Sequence, residues 1–136
     1  MGNQKSIGIA YSDQDLYDSD QVYVKGSLGY SRAGQGVVTQ LTNKGTAVTL
    51  NKSAGQITMN NASLATVTTV TFTLNNSLIS SNDTLIVTVS SGGTAGAYNA
   101  WVSGLAAGSA TIALRNISAG PLSEAVVINF ALIHCE

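Results

Sequence analysis

From about Val37 to the C-terminus, apolar and polar residues alternate with a period of two, in short runs enriched in β-branched side chains. The runs lie at 36–41, 46–50, 55–59, 66–74, 84–90, 97–103, 109–118 and 124–133. In TVTFTL, Val70, Phe72 and Leu74 fall on one face and Thr71 and Thr73 on the other, because successive strand side chains point in opposite directions. Between the runs stand turn residues: NKGT at 43–46, NKSAG at 51–55, NNS at 75–77, SSND at 80–83, SGGTAG at 91–96, LAAG at 105–108 and SAGP at 118–121. No segment shows helical periodicity with caps, and ASLA at 62–65 reads as one helical turn or a loop. Short strands without intervening helices predict an all-β fold, an antiparallel β-sandwich or jelly roll of about eight strands.

Residues 1–36 break the pattern and are expected to form an extended arm ahead of a domain spanning 37–136. Only VYVKG at 22–26 has a weak strand signature, and Gly26, Gly29, Gly34 and Gly36 allow the rest to lie extended on another surface. Four of the five tyrosines and four of the five aspartates fall in this segment. Tyrosine suits a contact role, since it buries a large apolar body and keeps a polar tip at low entropic cost. The residues expected to touch a partner are therefore Tyr11, Leu16, Tyr17, Val22, Tyr23, Tyr30 and Arg32.

Charge sharpens the division. Nine of the thirteen charged residues precede position 53, and only Asp83, Arg115, Glu124 and Glu136 follow. A β domain so poor in Lys and Glu presents weakly polar, flat surface, the kind a partner covers. The 136 residues suffice for one domain with a real core; the 44% hydrophobic content and mean hydropathy of +0.21 exclude a disordered chain. A net charge of −1 gives no electrostatic pull toward nucleic acid or an anionic membrane. The longest apolar run, 125–133, is interrupted by Asn129 and is too short to span a bilayer. The opening MGNQKSIGIAYSDQD does not read as a signal peptide, and a single cysteine makes no intrachain disulfide, so synthesis in a reducing cytoplasm is expected.

Each candidate chemistry has a plainer reading. Asp13, Asp15, Asp18 and Asp20 invite a calcium site, but Tyr17, Asp18 and Val24 stand where an EF-hand needs an acid or Asn, Gly and Glu; a solvated acidic arm accounts for them. MGNQKS fits the permissive myristoylation pattern without the polybasic patch that a single acyl chain needs. His134 and Cys135, adjacent on a strand, face opposite sides and read as an exposed chain end rather than a nucleophile and base. Asn-x-Ser/Thr at Asn51, Asn61, Asn75, Asn82 and Asn116 follows from composition. Trp101 and Tyr98 would make a sugar-stacking platform only if both reached the surface; three apart, they face opposite sides, and Trp101 is assigned to the core. A polysaccharide depolymerase needs paired carboxylates at a cleft, and beyond the arm only Asp83, Glu124 and Glu136 are available. No catalytic residue, metal ligand or cofactor is assigned, and no enzymatic activity is expected.

A series of motifs in fixed order remains: VTQ before a short turn, AVTLN, GQITMN, TFTL ending in N-x-S, GGTAGAY, AAGSATI and N-x-SAG-x-LSEA-x-x-INFA. Over residues 37–133 this series resembles a β domain of tailed-phage virion proteins, and GYSRAGQG before it is similar to what precedes VTQ in the small members. The resemblance implies a structural role, either as a cement or decoration protein on the capsid surface or as a module at a tail-fibre end. Room for one arm and one domain, with no shaft, favours the cement role. The expected partners are then the major capsid protein and further copies of the chain, as a homodimer or homotrimer, with no nucleic acid and no membrane. The expected location is the capsid surface of the virion. In the fibre-tip alternative, function would sit in loops such as SSND and SGGTAG at one end of the sandwich.

Overall fold

The computed structural model describes residues 21–135. After a 3-10 turn, Arg32–Gly34, these residues form eight strands: β1 Gln35–Thr39, β2 Val48–Thr49, β3 Ala54–Thr58, β4 Thr69–Asn75, β5 Thr84–Ser91, β6 Tyr98–Ala106, β7 Ser109–Asn116 and β8 Val127–Ile133. All eight coincide with the alternating runs of the sequence. They build two packed four-stranded sheets, one ordered β1-β3-β8-β5 and the other β2-β4-β7-β6, so the protein is an all-β sandwich. The segment 62–65 is a loop, tied by a bridge between Leu64 and Leu122.

Strand direction departs from the antiparallel expectation. β1 pairs parallel with β3, and β2 parallel with β4. The chain changes sheet at nearly every connection, and only β6 and β7 form a hairpin within one sheet. Each crossing reverses direction, so strands two apart in sequence run the same way and become parallel where they are neighbours. These two parallel pairs also separate the fold from an all-antiparallel jelly roll.

Both sheets send alternate residues inward. Ile57 of β3, Phe72 and Leu74 of β4, Ile112 and Leu114 of β7, and Ile128, Phe130 and Leu132 of β8 are all buried in one cluster. Burial of a side chain of this size contributes about 1.5–3 kcal/mol, which makes the facing pairs of β7 and β8 the centre of the fold. Room for the large residues comes from two glycines on adjacent strands: a Cβ on Gly55 would lie 2.6 Å from the Gly36 carbonyl oxygen, and one on Gly36 would lie 2.8 Å from a Leu50 methyl.

The directions of the strands define two ends. The arm enters at one end, together with the 50–54, 75–84 and 106–109 connections and the end of β8. At the other end lie the segments 40–47, 59–68, 92–97 and 117–126. Asn116 organises part of this far end: fully buried, it donates to the carbonyls of Leu64 (3.0 Å) and Gly120 (2.9 Å) and accepts from Ser118 N (2.9 Å) and Oγ (2.7 Å). Its Asn-Ile-Ser triplet therefore serves as a loop anchor, with every polar atom of the amide satisfied.

Candidate interaction surface

Of the expected contact residues, Tyr11, Leu16 and Tyr17 lie outside the described residues, as do Asp13, Asp15, Asp18 and Asp20. Val22 and Tyr23 are exposed at 61% and 86%, and Val24 and Leu28 beside them at 47% and 88%. Residues 21–30 form no strand, the weak signature of VYVKG notwithstanding, because no described residue pairs with them. The arm joins the sandwich at its root. The Tyr30 hydroxyl donates to the Leu132 carbonyl, Gln35 Nε2 donates to Tyr30 O (2.9 Å), and Lys52 Nζ donates to Ala33 O (2.9 Å). Arg32 stands over a shallow cleft of about 600 Å³ floored by Gly36, Gly55, Gln56 and Asn129. Within it Asn129 Oδ1 is buried without a hydrogen-bond donor among the described residues.

The outer faces of the sheets follow from the register. On the first sheet, Val37, Gln56, Asn129 and Thr88 form one cross-strand row, and Gln35, Ala54, Ala131 and Ile86 the next. No strand residue on this face is charged. On the second sheet, Thr71, Ala113 and Trp101 form one row and Thr69, Arg115 and Asn99 another, with Arg115 its single charge. Trp101 is thus on the surface, 37% exposed, and not in the core as its size suggested. The cause is the phase of β6: Tyr98, Ala100 and Val102 pack inward, and Trp101 must face out. Tyr98 and Trp101 accordingly make no joint platform.

The charged residues of the domain are largely consumed in holding loops. Lys44, in the NKGT turn, is 3% exposed. Its Nζ donates to the carbonyls of Asn60 and Glu124, both at 2.5 Å, and Gln40 Nε2 secures the same turn through Lys44 O (3.1 Å) and Thr46 O (2.8 Å). Burial pushes the Lys44 pKa below its ordinary value, opposed by the nearby Glu124 carboxylate. That carboxylate accepts from Thr94 N (3.0 Å) and Thr94 Oγ1 (2.8 Å), bonds that lower its pKa. Near it the Tyr98 hydroxyl is buried, with no hydrogen-bond partner of normal geometry among the described residues; burial first, and then the neighbouring Glu124 carboxylate, push its pKa up to about 12. Nothing in the sequence distinguishes Lys44 from an exposed turn lysine, because its partners are main-chain carbonyls 16 and 80 positions away.

At the arm end, Asp83 ties down the last residues of the chain. It accepts from Ser80 N (2.8 Å), Ser80 Oγ (3.0 Å) and Cys135 N (3.1 Å), and His134 Nδ1 lies 3.0 Å from it. Its pKa is lowered to about 2, first by the Ser80 main-chain bond. His134 and Cys135 have exposed side chains, in line with the reading of an exposed chain end, while the backbone at Cys135 is tethered to Asp83. SSND and SGGTAG flank β5 and so lie at opposite ends of the sandwich, not together. The same separation keeps Asp83 and Glu124 apart, since β5 and β8 lie between them.

Comparison with known protein families, with curated proteins and with solved structures finds no match to this chain.

Proposed function

We propose that this chain is a structural virion protein of the cement or decoration type, which binds the outer surface of an assembled phage head. The observation that carries the reading is the described part of the arm. Val22, Tyr23, Val24 and Leu28 present apolar side chains to solvent beside a domain whose outer sheet faces carry a single charge. Exposed apolar segments of this kind gain most by being covered. The motif series over residues 37–133 supports the phage setting. In this reading the arm is covered where neighbouring subunits meet on the shell, and the sandwich stands above the major capsid protein. Because binding selects the assembled lattice, it stabilises that state by RT ln(1 + [L]/Kd), about 2.7 kcal/mol per site at a hundredfold excess over Kd. No catalytic step is involved. The fibre-tip alternative, with function in loops at one end of the sandwich, would have to use either SSND or SGGTAG with its own neighbours, since the two lie at opposite ends.

The test is the molar ratio of this chain to the major capsid protein in purified virions. Hundreds of copies in a simple ratio to the capsid subunit would agree with the proposal; a few copies, in threes or sixes, would overturn it. Removing residues 2–30 should leave a folded sandwich that no longer decorates heads.

A further inference from the structure

A β-sandwich has four sheet edges, and each offers unpaired backbone groups that natural proteins usually blunt. In this protein three edges are blunted. β5 carries a register shift between Val89 and Ser91, β6 one between Val102 and Gly104, and β2 is only two residues long. β1 is the exception, with five regular residues, Gln35–Thr39, and neither charge, proline nor bulge. Its inner side is fixed by β3, and Gln40 N continues the ladder to Thr58 O at 2.9 Å. By the alternation of strand hydrogen bonds, the N–H and C=O groups of Val37 and Thr39 then point away from β3. No described residue bonds them, and the Val37 side chain is 75% exposed.

The same chain carries an unpaired strand former. Val22, Tyr23 and Val24 combine β-branched and aromatic residues, belong to no helix or strand, and make no backbone hydrogen bond to the sandwich. Among the described residues, every copy thus supplies one open acceptor edge and one unpaired candidate strand, both uncharged at their centres, in a fixed one-to-one ratio.

We propose that β1 is a strand-acceptor edge and that its occupant is residues 22–26 of a second copy, added to the sheet by main-chain hydrogen bonds. Donor and acceptor are different surfaces, so each contact is heterologous, and copies close either into a ring or, when two exchange arms reciprocally, into a swapped dimer. This inference deepens the shell-binding proposal by naming the self-contact, but it is tested on free protein; its failure is therefore separable from that of the shell reading, which rests on virion stoichiometry.

The experiment uses the full chain in the micromolar range and measures mass by light scattering and native mass spectrometry. The wild type is expected as a closed oligomer. Val37→Lys, which places a charge on the edge at an exposed position, and the double variant Val22→Asp/Val24→Asp are each expected at the monomer mass of 13.9 kDa, with the circular dichroism spectrum of the folded sandwich and a melting temperature that no longer depends on concentration. Mixed together, these two variants should form a one-to-one heterodimer, since one retains the strand and the other the edge. Amide exchange at Val37 and Thr39 should be slowed in the wild type and fast in both monomeric variants. A monomeric wild type, a Val37→Lys variant of wild-type mass, or a mixture that remains monomeric would each overturn the proposal.

Discussion

Lys44→Met tests whether a buried ammonium can act as a staple for three loops. Methionine keeps most of the aliphatic stem but removes the donor, leaving the Asn60 and Glu124 carbonyls without the bonds they now receive at 2.5 Å. Each stranded acceptor costs about 1–3 kcal/mol, for a gross loss of about 2–6 kcal/mol. Two effects offset it: the desolvation of the ammonium, visible in its lowered pKa, is relieved, and water reaches carbonyls at a loop end more easily than in a core. Replacing a whole buried ion pair by apolar groups is often neutral or stabilising, but here only one side of the interaction is removed, so the loss dominates. The net expectation is a destabilisation of about 2–3 kcal/mol, or a drop of about 1–2 M in the urea midpoint at the slopes usual for a small domain. Equilibrium urea denaturation followed by Trp101 fluorescence and by circular dichroism measures it. The wild type should also gain stability as pH rises through the lowered Lys44 pKa toward 10.5, because the unfolded lysine then holds more protons than the folded one; Lys44→Met should abolish that gain. A variant as stable as the wild type would refute the argument and show that the ammonium costs as much to bury as its bonds return.

Gly55→Ala places a methyl 2.6 Å from the Gly36 carbonyl oxygen and 2.9 Å from Leu50, so β1 must move away from β3; a loss of about 1–3 kcal/mol is expected in a thermal melt, with faster amide exchange across β1. Asp83, with its pKa lowered from 3.8 to about 2, contributes stability that is fully present above about 4 and lost as pH falls toward 2. Acid titration of the melting temperature should therefore show a drop in that window that Asp83→Asn lacks, and the same variant should loosen residues 134–135 in amide exchange.

The strands of this protein were legible in the sequence because their signal is local: TVTFTL states its own alternation, and Gly and Asn mark where each run stops. The neutral outer faces were legible for the same reason, since the scarcity of charge after position 52 is a property of composition. Pairing was not. Whether β1 lies beside β3 in parallel or beside another strand depends on which sheet each connection enters, and that is decided by the packing of Ile57, Leu114 and Ile128 against one another rather than by any run alone. The positions of single side chains divide along the same line. Trp101 is large and apolar, so its residue type suggested the core, whereas the phase set by Tyr98 turned it to the surface. Lys44 is charged, so its type suggested the surface, whereas two carbonyls distant in sequence drew it inside. The chain by itself determined the class of fold, its strands and its uncharged exterior. Only the tertiary structure decided strand order, the open edge of β1 and the fate of each charged residue, because those depend on contacts between segments that neither local periodicity nor composition encodes.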